Sequence, residues 1–78
     1  MRLQAELPSL EGMLESLECG KVARLHVRVD GEIRVFLMPQ PIDLPCGAQK
    51  PARAVHIEYQ ALPTQSDAAG LVRSLEFK

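Results

Sequence analysis

Residues 22–38, VARLHVRVDGEIRVFLM, decide the fold of this chain. From Val22 to Val29 apolar and polar residues alternate, with Ala23, Leu25 and Val27 on one side and Arg24, His26 and Arg28 on the other. After Asp30-Gly31 a second alternation sets Ile33, Val35 and Leu37 against Arg34, Phe36 and Met38. Two period-2 runs around a Gly-containing turn mark an antiparallel hairpin with one face on a core.

Directly opposed residues share a face, so loop length can be tested against the pattern. A two-residue loop at Asp30-Gly31 would set Arg28 against Ile33, placing charges opposite apolar residues along the ladder. A three-residue loop, Val29-Asp30-Gly31 with Gly31 left-handed, pairs Arg28 with Glu32, Val27 with Ile33, Leu25 with Val35 and Ala23 with Leu37. It matches a type I turn followed by a glycine bulge. The expectation is therefore the bulged loop. Ile33, Val35 and Leu37 would then lie on the core, and Arg24, His26, Arg28, Arg34 and Phe36 on an outer, basic face.

Seventy-eight residues make one domain, near the lower end for an independent core. With two Phe, one Tyr and no Trp, that core must be mainly Leu, Val and Ile. A net charge of −1 gives no long-range field toward nucleic acid or an anionic membrane. No apolar run approaches the roughly 18 residues of a membrane span, so no membrane partner is expected. The opening Met1-Arg2-Leu3-Gln4-Ala5-Glu6-Leu7-Pro8 is not a secretion signal, and the chain reads as cytoplasmic unless it is cut from a longer exported protein.

Residues 1–9 read as an N-terminal arm and 10–78 as a single small β domain. Residues 10–19 admit two readings. Ser9 could cap a helix with Leu10, Leu14 and Leu17 on one stripe and Gly20 as its stop, giving an α+β fold. Against it, Gly12 costs a helix about 1 kcal/mol and Glu11–Glu15 is a like-charge pair. The strand reading rests on an echo. Met13-Leu14-Glu15-Ser16-Leu17-Glu18-Cys19 resembles Leu71-Val72-Arg73-Ser74-Leu75-Glu76-Phe77, each following a Gly. Broken alternation of this kind suits strands that bend or carry a bulge where a small sheet closes on itself.

Pro39, Pro41, Pro45 and Pro51 exclude a central strand between the hairpin and residue 54. From Ala54 to Leu62, Val55, Ile57 and Tyr59 point inward, with His56, Glu58 and Gln60 outward. Pro63 to Gly70 is a loop, and Gly70 to Lys78 is the last strand. The expected fold is all-β, a small five-stranded antiparallel barrel or barrel-like sheet of the oligonucleotide/oligosaccharide-binding (OB-like) type.

A Gly-x-Leu strand ending in Cys19, then ARLHVRVDGEIRVFLM, CGAQKP, VHIEY and GLVRSLEF, resembles a small β-rich domain. That domain recurs at the C-terminal end of uncharacterised acidobacterial proteins, some with tetratricopeptide-like repeats upstream. The resemblance spans Gly12 to Phe77. The chain departs from it with Met13 directly after Gly12 and a shorter, proline-rich link before Cys46. It implies an all-β accessory module and favours the strand at 10–19. It supplies no catalytic residue and no cofactor.

Cys19 and Cys46 are the only cysteines. Bridged, they would close a loop of about 27 residues and contribute ~3–4 kcal/mol; in a cytoplasmic setting they would instead be reduced and buried. Catalysis would need a base beside the thiol. A zinc site from Cys19, Cys46, His26 and His56 lacks the close ligand pairs such sites use. No enzyme, metal or cofactor is expected.

Arg24, His26, Arg28, Arg34 and Phe36 form the candidate binding face, in the place where OB-like barrels stack single-stranded bases. Lys50 and Arg53, flanking Pro51, read as solvent contacts. The expected function is a non-enzymatic accessory module that binds protein or self-associates, since uncapped strand edges invite pairing. The alternative is a single-stranded nucleic-acid-binding domain.

Overall fold

The computed structural model describes residues 7–39, 42, 44–63 and 68–78, and these form five strands with no helix. The strands are β1 (Ser9–Glu18), β2 (Ala23–Val29), β3 (Glu32–Met38), β4 (Gly47–Ala61) and β5 (Gly70–Phe77). They form one barrel-like sheet in the order β1-β2-β3-β5-β4, with β4 returning to β1. The all-β, five-stranded expectation holds with one amendment. The β3–β5 seam is parallel and short, pairing only Phe36 with Gly70 and Leu37 with Leu71.

The strand at 10–19 explains why its sequence imitates a helix. Leu10, Gly12 and Leu14 pair with Ile57, Val55 and Arg53 of β4, and the register then slips between Leu14 and Ser16. The extra residue, Glu15, reverses the phase, so Leu17 points inward with Leu14. The spacing 10, 14, 17 is thus a period-2 pattern interrupted by a bulge. The bulge in β5 works the same way. The β4–β5 register slips between Glu58 and Tyr59, Arg73 is the unpaired residue, and Val72 and Leu75 share the inner side.

The hairpin corrects the loop reading. Val29 pairs with Glu32, Arg28 with Ile33, Val27 with Arg34, His26 with Val35, Leu25 with Phe36, Arg24 with Leu37 and Ala23 with Met38. The loop is two residues, with φ of 53° at Asp30 and 83° at Gly31. Positive φ at both positions makes a type I′ turn, whose twist matches that of the strands it joins. Asp tolerates the left-handed region better than most residues. The consequence is a reversed β3. Phe36 and Met38 are buried, whereas Ile33, Val35 and Leu37 face outward.

The core comprises Leu14, Leu17, Leu25, Val27, Phe36, Met38, Val55, Ile57 and Val72. Phe36 is its largest member, with its ring 5.1 Å from that of Tyr59 and inclined at 60°. Burying such side chains contributes about 1.5–3 kcal/mol each. Ile42 and Leu44, from the proline-rich link, pack against this core.

Strand β4 starts earlier than expected and runs through Pro51. It pairs with β1 at Gly47 and Ala48 and again from Arg53 to Glu58, leaving residues 49–52 looped out opposite the β1 bulge. Pro51 therefore sits where no ladder hydrogen bond is asked of it. Cys19 and Cys46 are joined by a disulfide with Cα atoms 5.9 Å apart, next to the Leu17–Gly47 pair. The bridge ties down the part of β4 that the looped-out segment separates from the main ladder. Residues 1–6 of the expected arm lie outside the described residues.

Gly12 marks a close approach of β1 to β2. A Cβ there would lie 2.6 Å from the Arg28 carbonyl oxygen and 2.8 Å from a Val27 methyl. Backbone cannot give way as a flexible side chain can. Gly12→Ala is expected to destabilise by about 1–3 kcal/mol in urea unfolding. Gly20→Ala, where the nearest atom is 3.8 Å away, serves as the control and should leave stability nearly unchanged.

Candidate interaction surface

The residues of the expected basic face do not come together as a set. Arg24, His26 and Arg28 do project outward from β2, opposite Leu37, Val35 and Ile33. Phe36 is fully buried and offers no stacking surface. Arg34 shares the phase of Phe36 on β3, opposite the buried Val27, yet its side chain stays about half exposed, with Glu32 3.9 Å away. Both corrections follow from the two-residue turn.

The outward cations are also largely neutralised. Arg28 grips Glu15 with two hydrogen bonds, Nε to Oε2 at 2.6 Å and Nη2 to Oε1 at 3.2 Å. Glu15 is the bulged residue of β1, so the irregularity that shifts the core phase also aims a carboxylate at β2. Arg24 lies 3.6 Å from Glu18, its partner across the ladder. Hydrogen bonding to Arg28, more than simple attraction, holds the Glu15 carboxyl below its ordinary value of 4.5, and Glu15 in turn raises Arg28. Nearer the start of β1, facing β4, Glu11 contacts Lys78 and lies 3.4 Å from His56, its ladder partner. The hydrogen bond from Lys78 is the main cause of its lowered pKa.

What the reversed β3 puts in place of a basic face is an aliphatic stripe. Ile33 is 45% exposed, Val35 and Leu37 are half-buried, and none of them belongs to the core. Leu71, paired with Leu37 across the seam, extends the stripe onto β5. Arg24, His26 and Arg28 border it on β2. Alternation alone could not reveal this stripe, because either phase of β3 presents apolar residues.

Two stretches of strand edge adjoin this surface. Among the described residues, no backbone partner lies beside β3 from Glu32 to Arg34, or along the outer edge of β5 beyond Leu71. The barrel is hydrogen-bonded around its ring but only pinned at the β3–β5 seam.

A cleft of about 370 Å³ opens where β4 loops out, lined by Pro45, Ala48, Gln49, Lys50, Pro51 and Arg53. The buried Gln49 amide shapes it by donating to the carbonyls of Pro45 at 2.8 Å and Gly47 at 3.1 Å. Arg53 stacks over Phe77 at 5.7 Å. The proline spacing of the link was the only signal for it in the sequence.

Cys19 and Cys46 are exposed and bonded to each other, so the reduced, buried reading does not describe them, and neither sulfur is a free thiol or thiolate ligand. Among the described residues no group of three metal-ligating side chains converges. No family model matches the chain, and neither does any curated protein or solved structure.

Replacing both cysteines with serine should lower stability by ~3–4 kcal/mol, read by urea unfolding of oxidised wild type against the variant. The Glu15–Arg28 pair makes a pH prediction. A folded-state pKa below 4.5 stabilises above that pH, and the contribution is lost as pH falls through the folded value. The Glu15 carboxyl, followed by NMR, should titrate below 4.5 and return toward that value in Arg28→Gln.

Proposed function

We propose that this chain is a non-enzymatic accessory module that binds protein, another chain or its own, through the outer side of β3. The observation that carries the reading is the aliphatic stripe Ile33, Val35, Leu37 and Leu71 lying outside the core beside a strand edge that is unpaired among the described residues. Outward aliphatics on a strand with free N–H and C=O groups are a template for strand addition, in which the backbone supplies affinity and alternate side chains supply specificity. The likeness to C-terminal accessory domains fits the same role. The Cys19–Cys46 bridge favours an oxidising compartment over the cytoplasm.

The nucleic-acid alternative draws on the five-stranded ring, which fits an OB-like barrel. Such binders use aromatic platforms and available cations. Here Phe36 is enclosed, and Arg24 and Arg28 each face a glutamate, so the protein-binding reading has the better support.

A photo-crosslinking residue in place of Leu37 should form protein adducts in the cells that make this chain, and the same residue in place of the exposed Glu58 should not. Labelled single-stranded oligonucleotide should show no binding at low salt. Absence of any adduct from position 37 overturns the proposal. So does oligonucleotide affinity with a steep salt slope that flattens in Arg34→Ala.

A further inference from the structure

The occupant of the β3 edge can be narrowed by asking which backbone groups are free there. A two-residue hairpin closes on the hydrogen-bonded pair Val29–Glu32, so Glu32, Arg34 and Phe36 direct their N–H and C=O groups toward β2. Ile33 and Val35 therefore direct theirs toward the opposite edge. The Val35 carbonyl accordingly accepts a hydrogen bond from the Ala69 N–H at 2.7 Å. Ile33 has no such partner among the described residues, so its donor and acceptor both face the open edge.

The side chains around Ile33 are self-complementary. In an antiparallel pairing of two copies about a twofold axis at Ile33, Ile33 meets its own counterpart as a hydrogen-bonded pair, N–H to C=O in both directions. Glu32 of each copy then falls opposite Arg34 of the other. The two share a face, as their 3.9 Å separation within one chain shows, and the Glu32 side chain is 76% and the Arg34 side chain 49% exposed. A cross-strand pair of opposite charges is favourable, whereas like charges directly opposite are unfavourable. Ile33 itself, 45% exposed, would be covered by its copy, joining the two aliphatic stripes into one.

We infer that the chain forms a symmetric dimer with a second copy of itself by antiparallel pairing of β3 at Ile33, sealed by reciprocal Glu32–Arg34 contacts. This rests on the reading of β3 as a protein-binding strand. The ladder is short, because the Val35 carbonyl is already engaged and Gly31 lies in the turn. The dimer is accordingly weak and concentration-dependent.

The test uses sedimentation of the oxidised chain over a concentration range up to about 1 mM, where association of roughly 4 kcal/mol becomes visible. Wild type should pass reversibly from monomer to dimer. Glu32→Arg and Arg34→Glu should each raise the dissociation constant about tenfold, since each replaces two attractive contacts with repulsive ones. Mixing the two variants should restore association, because one then carries two cations where the other carries two carboxylates. Ile33→Pro, which removes the central N–H without touching the β2 ladder, should abolish it. A wild type that stays monomeric overturns the dimer. A dimer indifferent to these substitutions, or one the mixture does not restore, places the joint elsewhere and also overturns it. The two readings fail separately: a monomeric chain whose position 37 still crosslinks to another protein sinks the dimer and leaves the binding module standing, whereas absence of adducts with either partner sinks both.

Discussion

Strand β3 enters the sheet in the phase that Asp30 and Gly31 impose, and much of the interior follows from that phase. With both residues at positive φ the turn closes in two steps, and Leu25 meets Phe36 rather than Val35. The Phe36 ring then sits in the barrel against the edge of Tyr59. Tyr59 in turn leaves no room for a side chain at Gly70, where a Cβ would come within 2.5 Å of its ring. Gly70 is the residue that seats β5 beside Phe36. Turn, aromatic contact and parallel seam are links of one chain. A three-residue loop would have turned the largest core side chain toward solvent, forfeiting about 1.5–3 kcal/mol of burial.

Closing so few strands into a ring also demands sharp local bending, and the two bulges supply it. Glu15 and Arg73 are the extra residues, and each reverses the inward phase of its strand. Glu15 then lends its carboxylate to Arg28, so a geometric necessity of the barrel also tempers the charge of the adjoining face. Exposed pairs of this kind contribute little to stability, because solvent screens them. They also leave Arg24 and Arg28 each beside a carboxylate rather than free on that face.

The sequence made some of this legible. Strands β2 and β3, and the inward set Val55, Ile57 and Tyr59, could be read directly, because alternation there is uninterrupted. At residues 10–19 a bulge turned a strand pattern into a helix-like spacing, and only the echo at 71–77 and the family likeness tilted the reading. The faces of β3 were beyond alternation, since Ile33, Val35 and Leu37 are as apolar as Phe36 and Met38. Turn chemistry alone distinguishes them, and Asp30-Gly31 favoured the short type I′ turn more strongly than cross-strand matching suggested. Pro51 argued against a strand by a rule that governs paired positions, and β4 loops out of its ladder there. The cysteine pairing needed the fold, because only the return of β4 to the end of β1 brings residues 27 apart into reach.

A barrel of this order is hydrogen-bonded around its ring and yet not edgeless. Among the described residues, the parallel seam of two residue pairs leaves β3 open from Glu32 to Arg34 and β5 open beyond Leu71. Natural sheets blunt such edges with charge or a bulge. Strand β5 does so, with Arg73 bulged out and Glu76 exposed. Strand β3 is different. Its two edge charges are opposite in sign and flank an exposed isoleucine whose backbone groups face the gap. Charges so placed repel few antiparallel partners of their own kind and match one register of the same sequence. An edge protected by like charges would refuse its copy; the charges of this one are complementary to it.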